Sequence, residues 1–261
     1  MASGGIAHGL AAFAVICGMA GYFALGVLVP TTDASMQYRL LLAMLKAGPV
    51  ALLGVWTLVA GNCARPAKGS HVPVSVPLAG VGLLLGCLGD TALELQRQAM
   101  PKLFLAGLGF FLLSHVAYVA AFASDSRVGF LRTPRAAVGF IFYSSVAAAL
   151  LSIMLPLKEP ELTAPVIVYA STIGVMGVLS VAWWPSRSES LADGGRRSYL
   201  LGVFGAAFFL LSDSILAYNK FVDPIPHAHT LTMATYYAAQ GLIAMAALSR
   251  LADAQQKSKD E

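Results

Sequence analysis

Charge is what this sequence has least of. Asp, Glu, Lys and Arg make up 11% of its 261 residues, where a soluble domain carries about a quarter. That shortage excludes an ordinary water-facing surface. Cysteine is scarce too: Cys17, Cys63 and Cys87 are too few and too scattered for a disulfide framework or a metal cluster. There is no Gly-rich phosphate loop and no nucleophile-elbow motif. His227 and His229 are expected in a loop, and no His, Cys and carboxylate grouping has convincing zinc spacing. Basic residues are not interleaved with aromatics, so the net charge of +4 does not read as nucleic-acid binding. Nothing calls for a cofactor or a metal.

What is abundant is apolar sequence, 57% of the chain, in runs that each reach the roughly 20 residues needed to cross a bilayer. The runs predict an all-α, polytopic membrane bundle of about eight transmembrane helices, near 6–29, 38–60, 73–93, 101–123, 136–155, 163–184, 198–221 and 228–251. The connections are too short for a soluble domain, so residues 1–251 read as one transmembrane catalytic domain and 252–261 as a tail. The first run lacks a basic leader and a small-residue cleavage site, and reads as a retained helix.

The few charges are distributed by side. Arg65, Lys68, Arg127, Arg132, Arg135, Arg187, Arg196, Arg197, Arg250, Lys257 and Lys259 fall on the side of the termini, and Arg39, Arg97, Lys102 and Lys158 on the other, with Lys46 inside a span and Lys220 ending one. The positive-inside rule then puts both termini in the cytosol, with Trp56, Trp183 and Trp184 at cytosolic ends. Lys257 and Lys259, fifth and third from the end of the sequence, resemble a dilysine retrieval signal of the endoplasmic reticulum.

Ionisable groups within spans each cost roughly 2.5–3.5 kcal/mol on insertion scales, so those present are informative. They are Lys46 in the second span, Asp90 and Glu94 at the end of the third, His115 in the fourth and Asp213 in the seventh. Glu94 lies near enough to the surface to be solvated, as do His227 and His229 in a Pro-bracketed loop. At 1.5 Å per residue, Lys46, Asp90, Asp213 and Tyr237 fall in one layer of the non-cytosolic half, with His115 deeper. Tyr118, Tyr169, Ser212, Asn219, Tyr236, Tyr237 and Gln240 are polar neighbours in the spans. Asp90 and Glu94 share a helix face at i,i+4, with Gly82 and Gly86 as a small-residue strip where another helix can approach.

A weak internal similarity links the two aspartates. Leu84 to Leu93 and Ala207 to Leu216 both run apolar residues, a small residue, Asp, a hydroxyl residue and then Leu two places later. Lying four spans apart, they suggest a 4+4 parallel repeat about an axis normal to the membrane, which would bring the aspartates face to face.

At these residues the chain resembles the lysoplasmalogenase family of transmembrane proteins, which includes the bacterial YhhN-like proteins. The resemblance runs from the second span to the eighth. It is carried by Lys46-Ala47-Gly48-Pro49-Val50, Leu88-Gly89-Asp90, Ser114-His115-Val116-Ala117-Tyr118, Tyr169 with Met176, Gly205 to Ala217, and Thr235 to Gln240. Pro226-His227-Ala228-His229 is most similar to animal members. The resemblance implies hydrolysis of the vinyl ether of a lysophospholipid, lysoplasmenylcholine or lysoplasmenylethanolamine. The products would be a fatty aldehyde and glycerophosphocholine or glycerophosphoethanolamine. The family's two motif aspartates carry over onto Asp90 and Asp213.

Such a bond breaks when its outer alkene carbon is protonated and water adds to the oxocarbenium ion that forms. One carboxyl must give the proton and one carboxylate must steady the cation and orient water, as in glycosidases. Lys46, His115, Tyr118, Tyr169, Asn219, Tyr236, Tyr237 and Gln240 are the expected substrate-binding residues, and the aspartate nearest Lys46 is the expected base. The same carboxylates would serve a proton-coupled transporter. An intramembrane aspartyl protease fits less well, because Cys87 stands where its Gly-x-Gly-Asp motif needs glycine. In a purely structural protein the carboxylates would hold helices together by hydrogen bonds.

Overall fold

In a computed structural model, residues 16–24, 36–64, 71–98, 103–124, 133–157, 159–182 and 194–260 are described. They form helix α1 over 16–24, then α2 (Met36–Cys63), α3 (Ser75–Gln98), α4 (Leu103–Ser124), α5 (Pro134–Met154), α6 (Thr163–Ala182), α7 (Gly194–Phe221) and α8 (Ala228–Asp260). A short 3₁₀ turn, Pro160–Leu162, leads into α6. Among the described residues there is no strand. Among the described residues seven helices, α2 to α8, are long and apolar enough to cross a membrane. Only residues 16–24 of the expected first span are described. The connections with Arg65, Lys68, Arg127, Arg132 and Arg187, together with Lys102, Lys158, Trp183 and Trp184, lie outside the described residues. Residues 252–260 continue α8 as helix.

The surface is apolar where a soluble protein would be polar. On α5, Val138, Phe140 and Ile141 are all more than 60% exposed; lipid is the solvent such a face requires. Hydroxyls on the helices return their hydrogen bonds to the preceding turn, as Thr57 does to Leu53 and Thr172 to Val168, both at 2.8 to 2.9 Å. Such return bonds satisfy polar groups that lipid cannot. The start of α5 is fixed locally: Thr133 accepts from the Ala136 N–H at 3.2 Å, and Pro134 occupies the first turn.

Helices α7 and α8 run antiparallel, and helices lock through small residues and hydroxyls. The hydroxyl of Ser198 donates to the Ala246 carbonyl at 2.9 Å and that of Ser212 to Thr232 at 3.0 Å, fixing α7 against α8. On α3, a Cβ at Gly82 would strike the Tyr118 ring of α4, and one at Gly86 would lie 2.7 Å from the Gln240 amide of α8. The strip expected from the sequence is therefore where α4 and α8 both close on α3. The core beneath it holds Leu83, Tyr118, Phe209, Tyr236 and Ala239, with α2 packed outside α3.

Candidate active site

Two carboxyls from different helices face one cavity. It has a volume of about 300 Å³, and Lys46, Asp90, Ser212, Asp213, Asn219 and Tyr236 are on its wall. These side chains come from α2, α3, α7 and α8, at the bundle end that carries the α3–α4 and α7–α8 connections. Of the layer inferred from helix depth, Lys46, Asp90 and Asp213 share this chamber, while Tyr237 and the deeper His115 are not on its wall.

Asp90 is 2% exposed. Its Oδ1 lies 3.9 Å from the Lys46 ammonium. The Tyr236 hydroxyl also faces it, while Oδ2 meets no hydrogen-bond partner among the described residues. Lys46 serves a second carboxylate, Glu94, at 3.5 Å. Glu94 was expected in solvent but has no exposed surface at all. The Tyr22 hydroxyl donates to it at 3.0 Å, and Lys46 supplies the counter-charge, so α1 and α2 seal the end of α3 that sequence position alone leaves open. His229 was likewise expected in a solvated loop. It belongs to the first turn of α8 and shares a 2.6 Å hydrogen bond with Tyr22. His227 is exposed, at a positive φ of 57° just before that helix.

Asp213 is held differently. The Tyr169 hydroxyl of α6 donates to its Oδ2 at 2.8 Å. The Nε2 of His115, from α4, stands 3.8 Å from the same oxygen. The His115 Nδ1–H donates to the Phe111 carbonyl at 2.6 Å, so a neutral ring turns its Nε2 lone pair to Asp213. Two acceptors face each other comfortably only when one carries a proton, so this pair can hold one. Among the described residues no Lys or Arg lies within ion-pair distance of Asp213.

The remaining expected residues stand behind the wall or at its edge. The Tyr118 hydroxyl donates to Gln240 Oε1 at 2.6 Å, and the Gln240 amide donates to the Tyr236 hydroxyl at 2.9 Å. This buried relay of amide and phenols orients Tyr236 toward Asp90. Tyr237 points the other way and donates to the Lys46 carbonyl at 2.9 Å, holding α2 against α8. Asn219 reaches the wall while its side-chain oxygen accepts from the Ile225 N–H at 2.9 Å. Sequence reasoning passed over Tyr22 and Phe104, while Ser212, noted only as a polar neighbour, is on the cavity wall. Lys220, read merely as ending its span, lines the cavity with its ammonium 4.1 Å above the Phe104 ring.

Fold and site together define a polytopic helical membrane protein with a buried two-carboxyl chamber. The chain belongs to the YhhN family, whose pattern matches residues 41–247. Human lysoplasmalogenase TMEM86B is 34% identical to it over 167 residues, 64% of this chain and 63% of that protein. Human lysoplasmalogenase TMEM86A is 33% identical over 169 residues, covering 64% of each chain, and the bovine TMEM86A is 31% identical over 171 residues. The matched stretch thus spans a little under two thirds of these human relatives' length. No solved structure matches the chain.

Proposed function

We propose that this protein is a membrane-embedded lysoplasmalogenase. It would hydrolyse the vinyl ether of lysoplasmenylcholine or lysoplasmenylethanolamine to a fatty aldehyde and the glycerophospho-alcohol. The observation that carries the reading is that Asp90 and Asp213, from helices far apart in sequence, line the same 300 Å³ cavity. The named activity of the similar human proteins supports it. Acid-catalysed cleavage of a vinyl ether needs one proton donor and one carboxylate beside the developing cation, and the chamber offers both without a metal. Lys46 and Lys220 put positive charge on the same wall, where a glycerophosphate would lie.

The two halves support a parallel repeat. Tyr169 precedes Asp213 by 44 residues, and Lys46 stands equally far ahead of Asp90; each reaches its own aspartate from the preceding helix. Across the halves the contacts are reciprocal: His115 of α4 meets Asp213, and Tyr236 of α8 meets Asp90. Residues 1–251 then form one catalytic unit in the endoplasmic reticulum membrane, with both termini and the 252–261 tail cytosolic. Protease protection of tagged termini in sealed microsomes would contradict that orientation.

The deciding experiment supplies purified protein with a lysoplasmalogen and with its saturated alkyl-ether analogue. Aldehyde from the first and none from the second is expected. No aldehyde from either, with substrate crossing a sealed vesicle unchanged, would replace the hydrolase with the carrier.

A further inference from the structure

Beside the polar chamber lies a second space of different character. It has a volume of about 90 Å³ and is bounded by Leu108 of α4, Ala147 and Leu150 of α5, Ile173 of α6 and Leu210 of α7. Its wall is almost wholly apolar. Leu93, Phe104, Phe111, Leu216, Lys220 and Asp213 line both spaces, so the two abut along these side chains. Asp90 belongs to the polar one alone. Helix α5 packs chiefly on α6, and the apolar space fills the gap between α5 and α4.

We propose that this apolar chamber seats the first carbons of the substrate's single hydrocarbon chain, whose remainder leaves between α4 and α5 into the bilayer. The proposal rests on the hydrolase reading above. A single-chain lipid is the occupant because the space adjoins a polar chamber holding lysines at one end and meets lipid-facing helix at the other. A methylene is about the size of a water, and the space is larger than one water needs, so it takes the chain's first carbons while the outer part of a long chain lies outside.

This seating orders the chemistry. In R–CH=CH–O–R′ the carbon that takes the proton lies on the tail side of the ether carbon. Asp213, at the junction of the chambers, is the carboxyl that reaches it. Its proton forms the new C–H bond as the alkene π pair moves, leaving R–CH₂–CH=O⁺–R′. Water adds at the cationic carbon and passes its proton to the Asp90 carboxylate, which Lys46 neutralises. The hemiacetal then breaks its C–O bond to give R–CH₂–CHO and HO–R′. Return of the proton from Asp90 to Asp213 closes the cycle.

The test uses Ala147→Trp, which fills the apolar chamber from α5, with Val138→Trp on the lipid-facing side of the same helix as control. The readout is the ratio of kcat/KM for a long-chain to a short-chain vinyl-ether lysophospholipid. Ala147→Trp is expected to lower that ratio at least about tenfold, the effect of displacing roughly two buried methylenes, and Val138→Trp to leave it unchanged. In parallel, an alkyl-ether lysophospholipid carrying a photoreactive diazirine on its third chain carbon is crosslinked to the wild-type protein. Labelling of Leu150, Ile173 or their neighbours supports the seat even if no aldehyde is ever released, which would sink the hydrolase alone. Aldehyde release with an unchanged ratio, or with label elsewhere, overturns the seat and leaves the hydrolase standing.

Discussion

Asp90 on α3 and Asp213 on α7 are the same residue type, yet their surroundings differ in kind. Around Asp90 a cation joins a phenol: Lys46 at 3.9 Å, with Glu94 sharing that cation, and the Tyr236 hydroxyl. Around Asp213 they are neutral, a phenol at 2.8 Å and an imidazole at 3.8 Å, and one side opens onto hydrocarbon. A buried cation favours the charged carboxylate beside it, and an apolar wall favours the neutral acid. The same side chain is thus set in two environments, and the proposed division into acid and base rests on that difference.

The largest test of this contrast is removal of the carboxyls. Asp90→Asn and Asp213→Asn are each expected to lower aldehyde release by about 10²–10⁴-fold, the usual worth of acid–base help, with the folded protein intact by size-exclusion and melting. Azide, an anion that attacks an oxocarbenium ion without a base, is expected to restore substrate consumption in Asp90→Asn and not in Asp213→Asn; the reverse pattern would exchange the roles. Next comes Lys46→Met, which strands two buried carboxylates and is expected to cost about 3–5 kcal/mol, read as a fall in midpoint in a detergent unfolding series. A loss under 1 kcal/mol would mean that the ionic cluster is not as drawn. Gly82→Ala drives a methyl into the Tyr118 ring and is expected to cost about 1–3 kcal/mol. The smallest effect is predicted for Tyr169→Phe, about 0.5–1.5 kcal/mol in stability. Were it to match Lys46→Met, the neutral and ionic surroundings would not differ as described.

Much of this contrast could be read from the sequence. Ionisable residues in apolar spans stand out against their background, and equal depth from the same membrane face was enough to gather Lys46, Asp90 and Asp213. The helix boundaries followed from run length, although α3 extends to Gln98 and α8 to Asp260, beyond the expected 93 and 251. Glu94 was misplaced because depth along one helix says nothing of what covers its end. Tyr22 passed unseen because an apolar run with one phenol gives no sign of where that hydroxyl points. The apolar chamber was illegible for a simpler reason: Leu, Ile and Ala lining a cavity and the same residues facing lipid are spelled alike.

The Tyr22 hydroxyl joins Glu94 of α3 to His229 of α8, although α1 lies ahead of the stretch that matches the family, 41–247. A segment outside the shared core is therefore fastened into the charged layer by one oxygen atom. Chimeras that exchange α1 between relatives would inherit or forfeit that clasp, so the N-terminal helix cannot be treated as interchangeable packaging around the chemistry.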